Sequence, residues 1–267
     1  MTNGASKRWF PHRKALDAPR ARLFCFPHAG GGAATFRDWS ALVPGDVELC
    51  AVELPGRETR FSEPPVASMP ALVPPLCDAI GDLRGVPFAF LGHSLGAVVA
   101  FEVARELQAR GGAMVGAVVA CGHRAPHLPP RERPIHGLPD AELELELKQL
   151  DGCPPEFWQH QELKELLLPV IRADLALAET YRCAPGSPLS CPILAFGGSD
   201  DEDLPARDLE SWREHTSSEF RATILPGDHF FVRHRAHELT RAALDALGLP
   251  SVQYGARLPS PRRSGAG

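Results

Sequence analysis

The sequence predicts an α/β fold, a mostly parallel sheet with helices on both faces and a helical insertion. Two observations predict it. Short apolar runs of strand length alternate with segments of helical spacing, and a long helical stretch interrupts that alternation before it resumes. With 267 residues, 44% of them hydrophobic, the chain is large enough for one domain carrying an insertion.

In chain order the strand candidates are "RLFCFP", "DVELCAV", "PFAFLG" and "MVGAVVAC", separated by helical segments at 34–43, 68–82 and 95–110. Pro74 and Pro75 are expected to split or kink the second of these helices. After Cys121 the pattern breaks, then resumes with "CPILAFGG", a helix at 205–215, "FRATILPG" and a closing helix near 232–247. Residues 124–183 read as a helical lid over the strand ends. Within it, "LPDAELELELKQL" has Asp140 as a helix cap, Leu143, Leu147 and Leu150 on one face, and Glu144 four before Lys148. Two further helices follow, with their joint expected near Pro169. The division is therefore a flexible N-terminal arm at 1–20, a core at 21–123 and 184–247, the lid, and a disordered tail at 248–267.

Composition excludes several classes of function. The formal net charge is −5 and no Lys/Arg block lies in the body of the chain, so nucleic acid is not an expected partner. No apolar run of membrane-spanning length and no signal peptide occur, which points to a soluble, cytoplasmic protein. The seven cysteines sit mostly singly in apolar runs with no C-x-x-C pair, and read as reduced core residues rather than metal ligands or disulfides.

The chemistry centres on "FLGHSLGAVVAF", residues 90–101. A G-x-S-x-G pentapeptide is weak evidence alone, but here a strand candidate precedes it and helical spacing follows. That is the context a nucleophile elbow needs, with Gly92 and Gly96 allowing the sharp turn that presents Ser94. A serine hydroxyl is inert at neutral pH without a base, and the base needs a carboxylate to fix its tautomer. His229, in "LPGDHFFV", is the best-placed base. In "FGGSDDEDLP" the acid is Asp201, with Asp200 as the alternative and the remaining carboxylates as loop charges. An oxyanion needs two backbone donors. Leu95 follows the nucleophile, and Ala29 lies in the glycine loop "FPHAGGG" after the first strand. His28 and His93 flank these donors and read as loop-shaping residues; Arg57 reads as a substrate contact or a loop-anchoring ion pair, and Arg172 and Asp174 receive no catalytic role.

Together, "LFCFPHAGGG", "ELPGRETRFSEP", "FLGHSLGA", "RADLALAETY" and "LPGDHFFV" resemble the type II, or editing, thioesterases that serve polyketide synthases and nonribosomal peptide synthetases. The resemblance runs from about residue 21 to 246. It implies an α/β-hydrolase fold and a Ser94, Asp201, His229 triad. The implied reaction is hydrolysis of acyl thioesters from the phosphopantetheine arm of acyl or peptidyl carrier proteins. No metal or cofactor of its own and a monomeric state are expected. Two departures stand out: Asp228 replaces a second glycine common before the histidine, and the acid loop holds more carboxylates than usual. A small-molecule esterase or lipase, or a non-catalytic synthase-binding protein, are the alternatives. Arg131 and Arg133 are candidates for docking an acidic carrier.

Overall fold

Among the described residues, six strands form one parallel sheet in the order β2-β1-β3-β4-β5-β6. They are β1 (Ala21–Phe26), β2 (Val47–Ala51), β3 (Phe88–His93), β4 (Ala117–Cys121), β5 (Ile193–Gly198) and β6 (Phe220–Leu225). The computed structural model describes residues 4–83, 85–111, 115–130, 133–149 and 155–249, so the tail expected to be disordered lies almost wholly outside the described residues. Along β1 and β3 successive side chains enter opposite cores, Phe24, Phe26, Phe88 and Phe90 on one face and Leu23, Cys25, Ala89 and Leu91 on the other. This is the period-two pattern of strands buried on both sides. Helices α2 (Met69–Gly81) and α3 (Leu95–Ala109) cover the first face. A 3₁₀ segment at Ala33–Ala41 and helix α8 (Ala236–Ala246) cover the second.

Strand order reverses around β1, because the chain passes to β2 on one side and returns to β3 on the other. In open α/β sheets ligands bind at the carboxyl ends of the strands beside such a reversal.

The prolines do not break their helices. α2 runs through Pro74 and Pro75, and α6 (Gln161–Thr180) runs through Pro169, so the joint in the lid falls at His160, between α5 (Pro155–Gln159) and α6. Each of these prolines leaves one carbonyl, four residues back, without its intrahelical donor. Those carbonyls belong to Pro70, Ala71 and Glu165, all exposed residues, so the lost bonds fall on the solvent side of each helix. Meanwhile Leu72, Val73, Leu76, Cys77 and Ile80 of α2 and Leu168, Val170 and Ile171 of α6 are buried. Burial on the opposite face outweighs the lost hydrogen bonds.

The N-terminal segment is not a flexible arm. It forms α1 (Gly4–Trp9), and the ring of Phe10, 1% exposed, packs edge-on to Phe24 at 5.2 Å. Trp9 lies under the Arg60 guanidinium at 4.1 Å, and its carbonyl accepts the Glu53 N–H at 2.9 Å. Arg13 and Arg22 both donate to the carboxylate of Glu48, whose side chain is fully buried. A basic, proline-flanked stretch conceals two aromatics that belong to the core.

Between β4 and β5, α4 (Asp140–Gln149), α5 and α6 build a small core of their own from Leu143, Leu147, Phe157, Leu168 and Ile171. A short α7 (Ala206–Glu210) and a 3₁₀ turn, Ser211–His215, replace the single helix expected after β5. The six described cysteines are free thiols, and five are buried; Cys153 lies outside the described residues.

Candidate active site

Ser94 sits in the turn between β3 and α3 with φ 55° and ψ −120°. A side chain in that region is strained by about 1–3 kcal/mol, and its surroundings must hold it there. They do so by close backbone approach. A Cβ on Gly92 would lie 2.2 Å from the Gly96 carbonyl oxygen, and one on Gly96 would lie 2.2 Å from that of Phe26. Only glycine fits at either place. The Ser94 N–H donates to the Cys121 carbonyl at 2.8 Å, tying the turn to the neighbouring strand.

His229 lies in the turn after β6, ahead of the closing helix rather than in it. Its Nδ1–H donates to Asp201 Oδ2 at 2.9 Å. The Asp201 side chain is only 3% exposed, while the imidazole is 38% exposed. This pairing leaves Nε2 as the unprotonated nitrogen, the tautomer a general base requires. Asp200 is exposed and accepts the Ser199 hydroxyl at 2.9 Å instead. Asp201 is therefore the carboxylate brought to the histidine. Asp228 turns back to accept the Phe230 N–H at 2.8 Å, and Gly227 before it takes φ +131°.

Ser94, His229 and Asp201 line one cavity of about 680 Å³, together with His28, Ala29 and Gly30 from the loop after β1. Leu95 is the first residue of α3, so its N–H has no intrahelical acceptor. The Ala29 N–H has no acceptor among the described residues either. Both sequence-predicted donors are thus available at the strand ends. His93 is buried, and its Nε2–H donates to the His229 carbonyl at 2.8 Å, bracing the loop that carries the base. Burial holds the His93 imidazole well below the usual histidine range, and the His28 imidazole at about 4, so both are neutral at pH 7. For His93 this bears out loop shaping.

The far wall is the lid. Leu163, Leu167, Ile171 and Leu175 line the cavity at four-residue spacing along α6, with Leu147 and Phe157 from the other lid helices. That spacing in "LKELLLPVIRADL" was the available sequence signal for the lining face. Arg57 makes a bidentate ion pair with Asp174 of α6, with both N···O distances 2.7 Å. It is an anchoring pair, and its partner comes from the lid. Arg172 donates to the carbonyls of His136 and Leu138 and pairs with Asp140, fastening α6 to the segment entering α4. Arg133 pairs with Glu146 of α4, and Arg131 lies outside the described residues. Among the described residues no helix is long and apolar enough to cross a membrane.

The thioesterase-domain family model matches residues 21–246. The gramicidin S biosynthesis protein GrsT of Aneurinibacillus migulanus is 39% identical over 232 residues, covering 87% of this chain and 91% of the relative. The thioesterase PikA5 of Streptomyces venezuelae is 37% identical over 255 residues, covering 94% and 90%. Among solved structures, the type II thioesterase BorB from the borrelidin biosynthetic cluster superposes with TM-score 0.79 at 34% identity, over 88% of this chain and 96% of that one. With an α/β-hydrolase sheet, a serine elbow and a family match across nearly all the described residues, the chain belongs to the thioesterase family, as a hydrolase of thioester bonds.

Proposed function

We propose that this enzyme removes acyl groups from the phosphopantetheine arm of acyl or peptidyl carrier proteins in polyketide or nonribosomal peptide synthesis, by way of an acyl-serine intermediate. The observation that carries the reading is the Asp201 to His229 hydrogen bond at the wall of a lid-covered apolar cavity that also holds Ser94. His229 Nε2 takes the Ser94 proton as Oγ attacks the thioester carbonyl. The Leu95 and Ala29 N–H groups stabilise the oxyanion, and the pantetheine thiol leaves with the proton from His229. Water, deprotonated by the same nitrogen, then cleaves the acyl-Ser94 ester and releases the acid. A thiol of pKa about 8.5 leaves far more readily than an alcohol, so little acid assistance is needed. The chemistry requires only this chain's side chains and backbone amides, with no cofactor of its own, and a cytoplasmic monomer suffices for it.

Intact-mass monitoring of carriers loaded with different acyl groups, with and without the enzyme, tests the proposal. Deacylated holo-carrier is the expected product. A clear preference for an aryl ester, with no gain from the carrier, would instead make the protein a small-molecule esterase.

The lining also sets an expectation for the acyl group. Its walls are apolar, but Asp200, Glu202, Asp203 and Asp228 stand around it, all exposed. A carboxylate at the end of the acyl chain meets like charge there. Succinyl-carrier is expected to react with kcat/KM about tenfold below butyryl-carrier, a gap of about 1.4 kcal/mol, and the gap should narrow at high salt. Equal rates for the two, measured on the same carrier at low salt, would refute the expectation.

A further inference from the structure

We propose that Asp174, on lid helix α6, is a positioning residue for the oxyanion hole, so that the lid in its seated place sets the Ala29 donor. This rests on the hydrolytic reading above and deepens it. The Asp174 side chain is 1% exposed, and its carboxylate is fully engaged with the far side of the site. Oδ2 accepts the Gly30 N–H at 2.7 Å and Arg57 Nη1 at 2.7 Å, while Oδ1 accepts Arg57 Nη2 at 2.7 Å. Arg57 Nη1 also donates to the Gly31 carbonyl at 2.7 Å. Its Nε is buried without a partner among the described residues, so the hold of the guanidinium depends on its two Nη groups.

Two of the peptide units that follow the proposed donor are therefore held by this pair, the Ala29–Gly30 unit by the lid carboxylate and the Gly31–Gly32 unit, through its carbonyl, by Arg57. Gly30 has φ +76°, and a Cβ there would lie 3.1 Å from Ile171 Cγ1, so the loop rests directly on α6. A glycine-rich loop has little stiffness of its own. Bidentate, charge-assisted bonds are the strongest fixings available to it. Oxyanion donors stabilise charge that exists only in the transition state, whereas the acyl chain is bound by the apolar side chains of the lid. Loosening the loop should therefore lower kcat and leave ground-state binding alone.

The test is Asp174→Asn, assayed on acyl-carrier together with two pantetheine analogues. One is a trifluoromethyl ketone, which forms a tetrahedral oxyanion with Ser94, and the other is an unreactive thioether. Expected is a kcat lower by about 10- to 100-fold, since small misplacements of this kind cost up to about 10². The ketone's affinity should fall by the same factor, and KM and the thioether's affinity should hold. A kcat equal to the parent's, or thioether affinity falling in step with kcat, would overturn the proposal and leave Asp174 as a brace for the lid. If Asp174→Asn does not fold, by near-ultraviolet circular dichroism, Arg57→Lys decides by the same readouts, because it keeps the charge and loses the fork. A parent enzyme that fails to deacylate carriers would sink the hydrolytic reading itself, whereas an active parent matched by its variants sinks only the positioning role.

Discussion

Replacing Ser94 with alanine is expected to lower thioester hydrolysis by a factor of about 10⁶, the scale on which serine hydrolases of another fold lose kcat when their nucleophile is removed. The elbow presents Ser94 to the cavity as the group that forms the bond to carbon, and His93 is committed to the His229 carbonyl and lies outside the cavity lining. Alanine keeps the Cβ and the amide that donates to Cys121, so the elbow survives and the loss is chemical rather than structural. The measurement is initial rate on acyl-carrier, paired with intact mass after a serine-directed phosphonate. The parent should gain one adduct and the variant none. Residual hydrolysis above about 1% of the parent would mean that the acyl group does not pass through Ser94, since triad knockouts fall far below that.

Asp201→Asn should follow with a loss of about 10⁴ in kcat. The asparagine fills the same buried space, but its amide is free to present N–H toward His229 Nδ1. That stabilises the tautomer with the proton on Nε2, which cannot accept the serine proton. Asp200→Asn is the matched control, since Asp200 is exposed and contacts Ser199 rather than the imidazole. Its kcat should stay close to the parent's. Equal losses for the two variants, measured side by side on one acyl-carrier, would remove Asp201 from the acid's role.

Much of the site was legible because its chemistry is local in the chain. Gly92, Ser94 and Gly96 carry the elbow within five residues, and their spacing states a backbone requirement that the close approaches to Gly96 and Phe26 explain. His229 and the acid loop each follow a strand, so parallel topology alone brings them to one end of the sheet. Separating Asp201 from Asp200 was harder, because adjacent carboxylates differ only in which one the turn after β5 directs inward. The Arg57 to Asp174 pair was hidden for another reason. Its partners are 117 residues apart, and nothing local to either says that the lid closes one onto the other. The prolines misled because their cost is visible in sequence, while the burial that offsets it depends on the assembled core.

The family model begins at residue 21, but the hydrophobic core begins at Trp9. A fragment cut at that boundary would leave Phe24 without the Phe10 ring and Glu48 without Arg13. Burial of the two lost aromatics is worth about 1.5–3 kcal/mol for a side chain such as Phe, a large part of a domain's net stability. The segment matched by the family model is thus shorter than the unit that folds, and an expression fragment beginning at residue 21 should melt well below one that keeps residues 4–20.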